Sequence, residues 1–150
     1  LEVVVSIGEY SNNTMGIISN VETGGYEIGY GASKKNLYNS FFIKEDNAYT
    51  TIASPNQAEL GKKYFSSSSY DGQTIKFFID NEKIELAKEG TIGEPNNSTI
   101  MTLGANPSAS GIQSNFFVGK IYSARIYNRA LTDEEVENNY KIDKVRFQLQ

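Results

Sequence analysis

The sequence has no cysteine, no histidine and no tryptophan, and only three prolines in 150 residues. Without cysteine there is no disulfide and no thiolate metal site, and without histidine the commonest general base and metal ligand is missing. Enzyme classes that work through a thiol, an imidazole or a zinc ion are thereby pruned. Lack of cysteine fits a cytosolic protein and equally a secreted one held by its core alone, so it does not fix the compartment. Long apolar runs are missing too: none approaches the roughly 20 residues that a membrane-crossing helix needs. Basic residues are scattered, with 14 Lys and Arg against 18 Asp and Glu for a net charge of -4. A duplex-binding surface needs them clustered to displace phosphate counterions. No nucleic-acid partner and no membrane insertion is expected.

What is present is one domain's worth of chain, 39% hydrophobic and 21% charged, long enough to bury a real core. The chain opens in LEVVVSI, with neither the basic stretch nor the small-residue cleavage site of a signal peptide, and reads as part of a longer protein. Short apolar or alternating segments recur, separated by Gly, Asn, Ser or Pro at about the 8 to 12 residue rhythm of an antiparallel sandwich. The segments predicted as strands are 3–7, 15–19, 26–30, 37–43, 48–53, 64–70, 74–79, 100–103 and 120–127. Gly24-Gly25, Tyr70-Asp71-Gly72 and Asp80-Asn81 read as turns. Alternation puts Tyr26, Ile28 and Tyr30 on one face of their strand, and Ile75, Phe77 and Ile79 on the core face of another, with Phe78 opposite. The serine run 66–69 has no Gly or Pro and is flanked by aromatics, so it reads as a polar-faced strand and not a linker.

One helix is expected near the end. Thr132 and Glu135 have capping-box spacing, Leu131 and Val136 flank the cap as a staple, and Asp133 and Glu134 complement the positive end of the helix dipole. Val136 and Tyr140 form an apolar stripe one turn apart, and the helix is predicted to end near 139–141.

The stretch FVGKIYSARIYNRALTDEEV at 117–136, followed by Asn139-Tyr140, resembles the C-terminal signature of laminin G-like, concanavalin A-like domains. Tyr70-Asp71-Gly72, the aromatic strand 75–78 and the second turn at 79–83 are similar to that family's central hairpin in order and spacing. The resemblance covers about residues 1–147 and its ending is similar to that of members in Gram-positive and prophage surface proteins. It implies an all-β, concanavalin A-like antiparallel β-sandwich (jelly roll) with one short C-terminal helix, a single domain over 1–150, and an extracellular, cell-surface or virion setting.

Three departures bear on that expectation. The chain begins where the family's next strand would stand, so its sandwich is expected to lack the N-terminal segment. Tyr64 and Phe65 lie where relatives often carry Trp, and Tyr122 replaces the Asp that many carry after the Ile of Gly-x-Ile. The last change weakens any implied calcium site, since calcium takes six or more oxygen ligands with carboxylates foremost. Asp71, Asp80 and the main-chain oxygens of Asn96 and Asn97 are the remaining candidates. Both Asp residues read as turn formers, so no metal and no cofactor is expected.

Endoglucanases of this fold place their carboxylates in a Glu-x-Asp-x-x-Glu pattern on one strand face. No Glu-x-Asp occurs here, and the acidic run 133–137 is accounted for by capping, so no enzyme is expected. Binding is the stronger expectation. Ten Tyr with abundant Asn and Ser supply rings for sugar stacking and amides for hydroxyls. Tyr26, Tyr30, Tyr38 and Tyr49, on or beside consecutive strands, are the candidate ligand-binding platform, although half or more of the tyrosines are expected to serve packing. The expected partner is a carbohydrate or cell-surface glycan, alongside other domains of a parent protein. The alternative is a structural or protein-binding spacer of an adhesin or phage tail with no sugar ligand.

Overall fold

Short alternating segments with turn residues between them pair as antiparallel ladders. The computed structural model describes residues 1–95, 100–107, 110 and 113–150. Its strands are β1 (Glu2–Ile7), β2 (Met15–Ser19), β3 (Tyr26–Gly31), β4 (Asn36–Ile43) and β5 (Ala48–Ala53), then β6 (Lys63–Tyr70), β7 (Thr74–Ile79), β8 (Glu82–Ala87), β9 (Thr102–Leu103) and β10 (Gly119–Arg125), with the helix α1 (Asp133–Phe147) last. They form two five-stranded sheets: a first in the order β10-β1-β6-β7-β8 and a second in the order β5-β4-β3-β2-β9.

The side-chain period of two then decides the core. Val3, Val5 and Ile7 of β1, Tyr64 of β6, and Ile75 and Phe77 of β7 meet Met15, Ile17, Ile18, Ile28, Tyr30, Leu37, Phe41 and Ile43 of the second sheet. A register shift between Gly16 and Ile18 lets both Ile17 and Ile18 enter this core. Burying each such side chain contributes roughly 1.5–3 kcal/mol before chain entropy is counted. The opposite faces of the same strands, Val4, Phe65 and Phe78, form a second cluster with Leu131, Val136, Tyr140 and Leu149. The helix therefore lies on the outside of the first sheet and leaves the outside of the second uncovered.

The all-β sandwich with a C-terminal helix is the predicted architecture. Thr132 is the N-cap, its hydroxyl accepting from Glu135 N at 3.2 Å while the Glu135 carboxylate accepts from Thr132 N at 2.9 Å. Three elements differ from their sequence-based prediction. The helix runs on to Phe147 and ends at Gln148 in a left-handed cap, because its later turns are anchored by the buried Asp143 and not by an apolar stripe. The strand β8 is rich in Glu and Lys and sits at a sheet edge, and its apolar alternation is confined to Ile84 and Leu86, too short to mark a strand. Ser66, Ser67 and Ser68 do form a strand, yet none shows a solvated face. They lie in the central β6, between β1 and β7, and Ser68 Oγ accepts from Asn39 Nδ2 across the sandwich at 2.8 Å.

Candidate functional site

The uncovered face of the second sheet is where outward-pointing residues of β3, β4 and β5 line up. Cross-strand register pairs Glu27 with Ser40, Ser40 with Thr51, Phe42 with Tyr49, and Tyr38 with Ala53. Together with the loops at either end they line an open groove of about 870 Å³. A smaller cavity of about 370 Å³ at one end of the sandwich contains Glu59, Lys62, Tyr64 and Asp80. There the polar groups satisfy one another, through Lys62 to Glu59, the Tyr64 hydroxyl with Glu59 N, and Asp80 with Phe65 N.

Two glycines shape the groove floor. A Cβ on Gly29 would stand 2.6 Å from the Tyr38 ring and hydroxyl, so the missing side chain is what lets Tyr38 lie flat across β3. From there its hydroxyl donates to Glu27 Oε1 at 2.7 Å. Gly93 plays the same part for Phe42, with a hypothetical Cβ 2.6 Å from the ring. Phe42 in turn meets Tyr49 edge-on, with centroids 5.0 Å apart at 78°, a geometry worth about 0.5–1.5 kcal/mol. Tyr49 is 41% exposed, and its hydroxyl accepts from Gly24 N at 3.2 Å and donates to Gly24 O at 2.9 Å. The ring is thus pinned to the β2–β3 loop with its face free.

Glu27 is the unusual group. Its residue is only 6% exposed, and burial pushes its carboxyl above the usual range, partly opposed by the Tyr38 and Ser19 hydroxyls. Oε1 takes the Tyr38 bond, whereas Oε2 has no partner of hydrogen-bonding geometry among the described residues. Asn106, which also lines the groove, has an equally orphaned Oδ1. The other floor hydroxyls are mutually engaged, Ser40 Oγ with Thr51 Oγ1 at 2.9 Å.

The four candidate tyrosines do not make one platform. Strand alternation turns Tyr26 and Tyr30 inward, with Tyr30 wholly buried and Tyr26 packed against Phe41 at the core's edge. Tyr38 and Tyr49 point outward into the groove. Glu27, Ser40, Phe42, Thr51 and Asn106 escaped the sequence reading, although the parity of 38, 40 and 42 along β4 groups the first outward row. Of the calcium candidates, Asp71 Oδ1 accepts from Gln73 N and Thr74 N, and Asp80 Oδ1 accepts from Phe65 N. Asn96 and Asn97 lie outside the described residues, and among those described no three acidic side chains converge on one point.

Two packed antiparallel five-stranded sheets with a C-terminal helix define an all-β sandwich. Residues 2–137 match a laminin G-type family model described as the concanavalin A-like lectin/glucanases superfamily, and the chain belongs to that superfamily. Comparison of the sequence with curated proteins finds no match. Among solved structures, the chain is similar to the CBM40 of a Ruminococcus gnavus IT-sialidase, with a TM-score of 0.71 at 16% identity over 93% of this chain and 81% of that one. The same module bound to α2,3-sialyllactose gives a TM-score of 0.67 at 16% identity, over 93% and 81%. A leech intramolecular trans-sialidase complexed with 2,7-anhydro-Neu5Ac gives 0.68 at 16% identity, over 91% of this chain but 22% of that one. At that identity the likeness is one of fold.

Proposed function

We propose that the chain is a non-catalytic carbohydrate-binding module, and that the groove over β3, β4 and β5 is its ligand site. The observation that carries this reading is the half-exposed Tyr49 ring, backed edge-on by Phe42, beside a floor of Glu27, Ser40, Thr51 and Asn106. A flat ring next to convergent acceptors and hydroxyls is what a sugar needs, one apolar face for stacking and a rim of hydroxyls for hydrogen bonds. A spacer that only contacts protein calls for a flat surface matched in shape to its neighbour, and this aromatic pair sits in a groove. The sialyllactose complex of the R. gnavus module supports the reading by analogy of fold. The setting that goes with it is extracellular, on a cell surface or virion, within a larger protein.

A glycan array of the purified domain, run with and without calcium, tests the reading. Binding to a related set of glycans is expected, weakened at least about tenfold by Tyr49→Ala and retained by Tyr49→Phe. A blank array from folded protein overturns it in favour of a protein-binding or spacer role.

A further inference from the structure

Charge and acceptor content of the groove distinguish between classes of sugar. Glu22 in the β2–β3 loop and Lys34 in the β3–β4 turn line opposite ends of the groove, and Glu27 lies between them. Lys34 is exposed, and it is the one cationic side chain lining the groove among the described residues. Carboxylate ligands are held best by the planar fork of an arginine. The chain has three arginines, and all are committed elsewhere. Arg125 grips Asp143, Arg129 grips Glu135, and Arg146 lies over Phe147. The two orphaned polar atoms of the groove residues, Glu27 Oε2 and Asn106 Oδ1, are both acceptors. A buried acceptor without a partner favours a neighbour that donates, and it penalises one that brings more negative charge into the same low-dielectric space.

We infer that this groove selects uncharged, hydroxyl-donating saccharides and discriminates against sugars bearing a carboxylate, sialic acid among them. This rests on the carbohydrate-binding reading above and departs from the ligand of the similarly folded R. gnavus module. Hydroxyls supply donors for the two acceptor atoms left open, Glu27 Oε2 and Asn106 Oδ1. A sialic or uronic carboxylate supplies only acceptors, and sets them beside Glu27 with no arginine to offset the charge.

The test is an array of matched pairs, each neutral glycan printed beside its sialylated and uronic counterparts, probed with the wild-type domain and with Glu27→Gln. The expected result is binding to neutral members, with acidic counterparts weaker by on the order of tenfold. Glu27→Gln removes the charge and keeps an acceptor for the Tyr38 hydroxyl but turns the open Oε2 position into a donor, so neutral binding is expected to weaken while the gap between neutral and acidic members narrows. Acidic members bound as tightly as neutral ones, or better, overturn the selectivity and leave the carbohydrate reading standing. A gap untouched by Glu27→Gln overturns the part assigned to Glu27. No binding to any glycan overturns both readings.

Discussion

Arg125 holds Asp143 through two parallel hydrogen bonds, Nη1 to Oδ2 at 2.6 Å and Nη2 to Oδ1 at 2.7 Å. The pair ties the edge strand β10 to the third turn of α1 and extends into the first sheet. Glu2 Oε2 accepts from Tyr127 at 2.9 Å and, at 3.4 Å, from Arg125, and Asn139 Nδ2 donates to both Glu2 oxygens at 3.1 Å. Glu2 and Asp143 are both almost wholly buried. Removing Asp143 takes away the bidentate partner of Arg125 and leaves it only the 3.4 Å contact with Glu2, at a cost of about 3 kcal/mol. Asp143→Ala is therefore expected to lower the unfolding free energy by about 3 kcal/mol in urea titration. A loss below about 1 kcal/mol contradicts a structural role for the clamp.

Two carboxylates are expected to respond to acid in opposite directions. Glu135 accepts from Arg129 and from Thr132 N, which hold its carboxyl down from 4.5 to about 2. Its contribution to the helix cap is complete above 4.5 and is lost as pH falls toward 2. Glu27 is raised by burial, so the native state takes up its proton first and the strain of burying a carboxylate is relieved as pH falls through that raised value. A side-chain carboxyl NMR titration checks both, with Glu135 titrating near 2 and Glu27 above 4.5. The reverse order contradicts the assignment.

Gly29→Ala probes the groove floor. Its Cβ meets Tyr38 at 2.6 Å, so the ring must leave β3 and give up its bond to Glu27. A stability loss of about 1–3 kcal/mol is expected, together with loss of glycan binding. Unchanged binding in a folded variant contradicts the role given to Tyr38.

Much of the fold was legible in the sequence because β1 is a continuous apolar run, the inward rows of β3 and β7 recur at every second residue, and the α1 cap is spelled out by Thr132 and Glu135. The edge strand β8 was not, since its alternation is confined to Ile84 and Leu86 among the charged Glu82, Lys83 and Glu85. The end of α1 was hidden for a related reason: Asp143, its deepest late residue, is polar, while Ile142 and Val145 are exposed. For the groove, residue type misled where parity would have served. Tyr26 and Tyr30 have the inward parity that Tyr38, through its pairing opposite Gly29, does not. Asn106 reaches the groove from a loop distant in sequence, and no local pattern predicts that.

Where a sugar sits decides between the groove and the rest of the surface. Amide shift mapping of the nitrogen-15-labelled domain, titrated with a neutral glycan that the array identifies, locates it directly. The largest changes are expected at Ser40 and Phe42 of β4 and at Tyr49 and Thr51 of β5. Changes confined to the cavity around Lys62 and Asp80, or to α1, would contradict the assignment of the groove, and so would a domain that binds no glycan on the array.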